Sequence, residues 1–180
     1  MKEFDAAIIE ELLGELDTKL QQRGVEAKIF VVGGAAMALA YNATRITEDI
    51  DGIFVPRDVV VDAAREVARE RGLDEFWLSD GVVQMMPPNS DDNPRSRKVG
   101  AALTLEIASP EYILAMKAMS TRHSRGDLDD AANLCGQLGI AAQADLERVV
   151  QQYFGPQQHY GAQELFFERI IEAANGIPRL

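Results

Sequence analysis

The chain has 180 residues, 47% of them apolar and 26% charged, which is material for an ordinary folded core and not for a disordered chain. Its net charge of -11 argues against a broad nucleic-acid-binding surface, which needs clustered lysine and arginine to displace counterions. One cysteine (Cys135) and two histidines (His123 and His159) exclude an internal disulfide and a typical structural zinc site.

The first predicted element is a helix over about residues 5–23. Ile8, Ile9, Leu12, Leu13, Leu16 and Leu20 recur at steps of three and four, and Gly24 closes the segment. Ala27 to Val32 reads as a buried strand broken by Gly33-Gly34, and the small residues 35–40 read as a short helix. Asp51 to Val55 is a second strand, ended by Pro56. Arg57 to Arg71 is a helix with Val59, Val60, Ala63, Ala64, Val67 and Ala68 inside, stopped by Gly72. Phe76 and Trp77 read as core. A further strand is expected around 82–86, then a loop over the turn formers 87–94. The basic run Arg95-Ser96-Arg97-Lys98 reads as solvated loop, with contact to a triphosphate or an RNA backbone as its alternative. Residues 101–107 alternate as a strand should.

The rest is helical. Ser109-Pro110 is an N-cap followed by proline at the first helical position, opening a helix to about residue 119 or 120. Three more helices are marked by Leu128 to Leu138, by Leu146 to Tyr153, and by Phe166 to Ala174. The pattern predicts a mixed α/β core over 1–108, with a helical region over 109–180 packed on it as one compact unit. The first residues are acidic where a secretory leader would be basic, and no apolar run reaches the ~20 residues of a membrane span. A cytoplasmic protein without a membrane partner is expected.

Two features carry chemistry. Gly33-Gly34 ends a buried strand, where glycines let backbone approach a ligand closely, although a tight packing turn gives the same pattern. Asp49 and Asp51 are two residues apart at a strand start, so both carboxylates aim one way. Paired carboxylates repel unless a cation neutralises them, and a hard divalent ion, Mg2+ or Mn2+, suits oxygen ligands. A solvated acidic turn is the plain alternative.

Taken together, Val32-Gly33-Gly34 and Arg45-Ile46-Thr47-Glu48-Asp49-Ile50-Asp51 resemble the signature of the nucleotidyltransferase superfamily. The wording is similar to the AbiEii-type toxins and the small bacterial nucleotidyltransferase-like (DUF6036-like) proteins. Ala108 to Lys117 and Arg125 to Asp130 resemble later segments of that group, so the likeness spans roughly residues 28–135. It implies the nucleotidyltransferase α/β (α+β) fold, a small mixed sheet flanked by helices. It also implies roles: Asp49, Asp51 and Glu106 as metal-binding or catalytic acids, and Gly33, Gly34, Arg45 and Lys117 at the nucleotide. Asp127, or Asp130, would orient Lys117 by an ion pair. Expected partners are an NTP, a tRNA or protein acceptor, and a cognate antitoxin or toxin.

Each role has a structural counterpart: Glu106 as an edge acid, Lys117 with a packed stem, Asp127 and Asp130 as acids favourable at a helix start, and Arg45 in an ion pair. Ala35 follows the glycines where many relatives have a hydroxyl residue, and Gly126 stands where lysine is common. Those departures support a second reading, a catalytically inactive interaction module on the same fold. His123 and His159 lie in polar surroundings with no nucleophile to serve, and Cys135 reads as core.

Overall fold

A computed structural model describes residues 2–176, and the chain divides into two compact units. The first comprises residues up to Gln84 together with Pro94–Ala108. The second comprises Met85–Asn93 and the chain from Ser109 onward.

The first unit opens with helix α1 (Ala6–Gln22), whose N-terminus is capped by the Asp5 carboxylate accepting the Ile8 amide at 2.9 Å. Its buried stripe is Ile9, Leu12, Leu13, Leu16 and Leu20. Strand β1 (Ala27–Val31) follows. Next comes helix α2 (Gly33–Ala36), which widens into a π-helical turn over Met37–Tyr41. Then come β2 (Ile50–Val55), α3 (Arg57–Arg71), the short β3 (Leu78–Ser79), β4 (Arg95–Lys98) and β5 (Leu103–Ile107). The sheet order is β3-β2-β1-β5-β4, with β1 central, antiparallel to β2 and parallel to β5.

Alternation sorts the strands into two faces. Ile29, Val31, Ile50, Phe54, Leu103, Leu105 and Ile107 are buried on one. Phe30, Asp51, Ile53, Thr104 and Glu106 stand on the other, which is more open. Helix α3 packs beside α1 through small residues, and Trp77 is anchored by its indole N–H donating to the Ala64 carbonyl at 2.9 Å. At the far end, the buried carboxylate of Asp17 accepts the amides of Ala102 and Leu103, at 2.9 and 2.6 Å, as the chain enters β5.

The second unit holds α4 (Pro110–Ala118), α5 (Arg125–Leu138), α6 (Gln143–Phe154) and α7 (Ala162–Gly176). Ser109 and Ser124 cap α4 and α5 with their hydroxyls. Helix α5 packs on α4 and α7, and α4 on α6. The segment before β4 joins this unit through Asn89, which bonds the carbonyls of Tyr153 and Gln152, and through Asp91, which accepts the Ser109 amide at 2.6 Å.

Four expectations need correction. Residues Gly81–Met85 form a 3-10 turn, not a strand: Val82 alone is buried, and Leu78–Ser79 already pairs with β2. Residues Arg95–Lys98 are a strand, not a loop, because β5 offers them a ladder of backbone partners although all four side chains are exposed. Phe76 is 63% exposed, so Trp77 alone joins the core. His123 and His159 lie against aromatic rings, Phe166 at 4.5 Å and Phe167 at 4.9 Å between centroids, not in polar surroundings.

Candidate functional site

Asp49 sits at the last bend before β2 and is exposed, while Asp51 stands half-buried on the open face of the strand. The Val32 amide donates to the Asp51 carbonyl at 2.9 Å, the last bond between β1 and β2. The next residue, Gly33, therefore turns directly beside Asp51. Its φ of 63° is left-handed, the region that favours glycine. A Cβ built on Gly33 would lie 3.7 Å from Asp51 Oδ2, so the bare Cα leaves a small cradle against that carboxylate.

Gly34 faces the segment that leads into the acids. A Cβ there would come within 2.7 Å of Thr47 Oγ1 and 3.7 Å of an Arg45 guanidinium nitrogen. The geometry thus gathers Gly33, Gly34, Arg45, Thr47 and Asp51 around one turn. Arg45 also donates to the Ile46 carbonyl beside it. On the neighbouring strand Ser79 is level with Asp51, its hydroxyl accepting the Gly81 amide at 3.1 Å. Further along β2 a cavity of about 510 Å³ is bordered by Ile53, Arg57, Asp80 and Val83, with Arg57 and Asp80 ion-paired.

Glu106 shares the open face but not the position. It pairs across β1 with Phe30, which pairs with Ile53, so it lies two strands over and one pleat away from Asp51. Strand geometry makes that a Cα separation of about 12 Å. Its carboxylate accepts the Lys28 ammonium at 2.8 Å. Asp49, Asp51 and Glu106 do not form a three-carboxylate cluster, and among the described residues no group of three His, Cys, Asp or Glu side chains suited to a metal ion is found.

Lys117, Asp127 and Asp130 belong to the second unit and meet there. The Lys117 ammonium, on a residue only 8% exposed, lies 2.9 Å from Asp127 Oδ1 and 2.9 Å from Asp130 Oδ2. Ser120 and Ser124 hydroxyls donate to the other Asp127 oxygen, at 2.9 and 2.8 Å. Burial by itself would raise the Asp127 pKa, but the Lys117 charge and these hydrogen bonds outweigh it, and the carboxyl is held below the usual range. Lys117 thus pairs with both of the acids that the resemblance had offered to orient it.

Thr47 escaped notice because a threonine in a polar segment has no chemical signature of its own. Only its place two residues before Asp49, inside the quoted motif, hinted at it.

Residues 9–165 match the family model described as "Nucleotidyltransferase of unknown function (DUF6036)". Neither the curated proteins nor the solved structures compared with the chain include a match. Among the described residues no helix is long and apolar enough to cross a membrane.

Proposed function

The chain belongs to the DUF6036 family of nucleotidyltransferases of unknown function, and from that premise we propose that Asp49, Asp51 and the Gly33-Gly34 turn form a magnesium-dependent site that moves a nucleotide from an NTP to an acceptor hydroxyl. The observation that carries the reading is the cradle at Gly33, open against the Asp51 carboxylate. A carboxylate beside bare backbone, with a second acid two residues earlier in the chain, fits a hard cation and a phosphate chain together. When bound, Mg2+ would supply charge neutralisation at the phosphates.

The remaining work falls to the protein. Gly33 and Gly34 let the phosphates approach the main chain, and Arg45, beside Gly34, supplies a guanidinium for phosphate oxygens. The acceptor hydroxyl gives up its proton to solvent water as its oxygen bonds to the α-phosphorus, and the bond to the leaving pyrophosphate breaks. Positioning and charge carry such a reaction, so no nucleophilic side chain is required. The Ile53–Val83 cavity, one pleat from Asp51, is of ordinary ligand-pocket volume and is assigned to the nucleoside or the acceptor. Glu106, tied to Lys28, is left outside the metal set, and Lys117 is assigned to the interior of the helical unit. The acceptor is read as an RNA 3′ end or a protein hydroxyl, in a toxin–antitoxin setting.

Asp49→Asn and Asp51→Asn should each abolish magnesium-dependent incorporation of labelled nucleotide. Incorporation at the wild-type rate in both variants would refute the assignment. A second reading, an inactive interaction module, is favoured by Ala35, which is buried where a phosphate-binding hydroxyl is common. Calorimetric titration with each Mg–NTP separates the two, because heat with none of the four supports the module.

A further inference from the structure

The segment between the π-helical turn and β2, residues 42–49, carries Asp49 without belonging to any regular element except one isolated bridge. A carboxylate on such a segment is useful only if its backbone is held. Thr47 is the point where the holding converges. Its backbone exchanges two hydrogen bonds with Phe4, the Phe4 amide donating to the Thr47 carbonyl at 2.7 Å and the Thr47 amide to the Phe4 carbonyl at 3.0 Å. Phe4 is itself buried at 3% exposure, so the bridge is anchored in the core. The Thr47 hydroxyl donates forward to the Asp49 carbonyl at 3.2 Å. The same hydroxyl rests on Gly34, so close that a Cβ there would meet it at 2.7 Å and the Thr47 Cβ at 3.1 Å.

Resting on the functional reading above, we propose that Thr47 is a positioning residue: braced by Phe4, its hydroxyl fixes the Asp49 backbone to the Gly34 turn and so sets the distance between the acidic pair and the phosphate-approaching glycines. The arrangement explains two choices of residue at once. Position 34 has room for no side chain because Thr47 fills the space. Position 47 requires a hydroxyl because a methyl in its place leaves the Asp49 carbonyl without that donor. Small displacements of a reacting constellation are costly, about a hundredfold in rate for 1 Å.

The test uses the full chain and Mn2+ alone, with free ion followed by electron paramagnetic resonance. Wild type should bind Mn2+ in a manner lost in Asp49→Asn and Asp51→Asn. Thr47→Val, which keeps the shape and removes the hydroxyl, should weaken binding tenfold or more, while Thr47→Ser should stay within threefold of wild type. Urea midpoints of the Val and Ser variants report any global loss. Should Thr47→Val prove poorly folded, Gly34→Ala provides the second route: it should weaken binding by pressing on Thr47, and adding Thr47→Ala should restore urea stability without restoring affinity. Wild type lacking any Mn2+ binding that depends on Asp49 and Asp51 overturns the site reading and this inference with it. Wild-type binding with Thr47→Val unchanged overturns the inference alone.

Discussion

Replacing Lys117 with methionine tests what holds the helical unit together. The ammonium sits 2.9 Å from one oxygen of each of two carboxylates whose residues are 2% and 3% exposed. At an effective dielectric of 20, each contact contributes about 6 kcal/mol of attraction, much of it cancelled by the cost of desolvating three charges. Methionine keeps the stem volume but leaves two like charges buried together. Removing one partner from a buried pair costs about 3–5 kcal/mol, a large share of a stability of about 5–15 kcal/mol.

The pH dependence sharpens the test. Asp127 is depressed in the folded wild type, so its contribution is present above the ordinary carboxylate range and is lost as pH falls through the folded value. In the methionine variant, burial acts on Asp127 without the cation and pushes its carboxyl upward. Its stability should then rise as pH falls from 7 toward 4, opposite in sign to wild type. Urea unfolding followed by circular dichroism at pH 7, 5.5 and 4 reads both effects. The triple variant Lys117→Met with Asp127→Asn and Asp130→Asn should recover at least half of the loss. A cost below about 1 kcal/mol, or a pH slope unchanged from wild type, would refute the reasoning.

Three further outcomes are expected. The Cys135 thiol, fully buried and pushed up to about 12 by that burial, should resist a disulfide-exchange reagent at pH 8 and react stoichiometrically only in denaturant; fast labelling of the native protein would contradict the burial. Gly52→Ala should lose about 2–3 kcal/mol in urea, since a Cβ there would press to 2.3 Å from the Phe30 carbonyl oxygen in the central strand pair; an unchanged midpoint would show that β2 shifts freely. Asp17→Ala should cost about 2–4 kcal/mol and raise amide exchange at Ala102 and Leu103, which would keep wild-type protection if the carboxylate were incidental.

The regular parts of the fold were legible because their signals are local. Helix α3 runs from Arg57 to Arg71 as its 3.6-residue spacing and Gly72 dictate, and β1 and α4 begin where the apolar run and the Ser109-Pro110 cap place them. The errors fall where partners decide. Val82, Val83 and Met85 look strand-like, yet Leu78–Ser79 takes the place beside β2 and they turn as a 3-10 helix. Arg95 to Lys98 look loop-like, yet β5 recruits them. At the site, the aim of Asp51 follows from strand alternation, whereas its distance from Gly33 depends on the register between β1 and β2, which spacing alone does not encode. Glu106 shows the same limit: its side of the sheet was readable, its two-strand offset was not. Lys117 shows a different limit, since one lysine in an apolar stretch looks alike whether its amine faces solvent, a ligand or two buried acids.

Strand β4 forms one rim of the sheet and presents three cations in four residues, all exposed. Two copies meeting rim to rim would bring those cations face to face before any main-chain bonds could form. The strand thus defends a boundary that would otherwise invite endless extension. Neutral substitution there would free Glu10 from Arg97 and Tyr41 from Arg95, and would show as precipitation at high concentration.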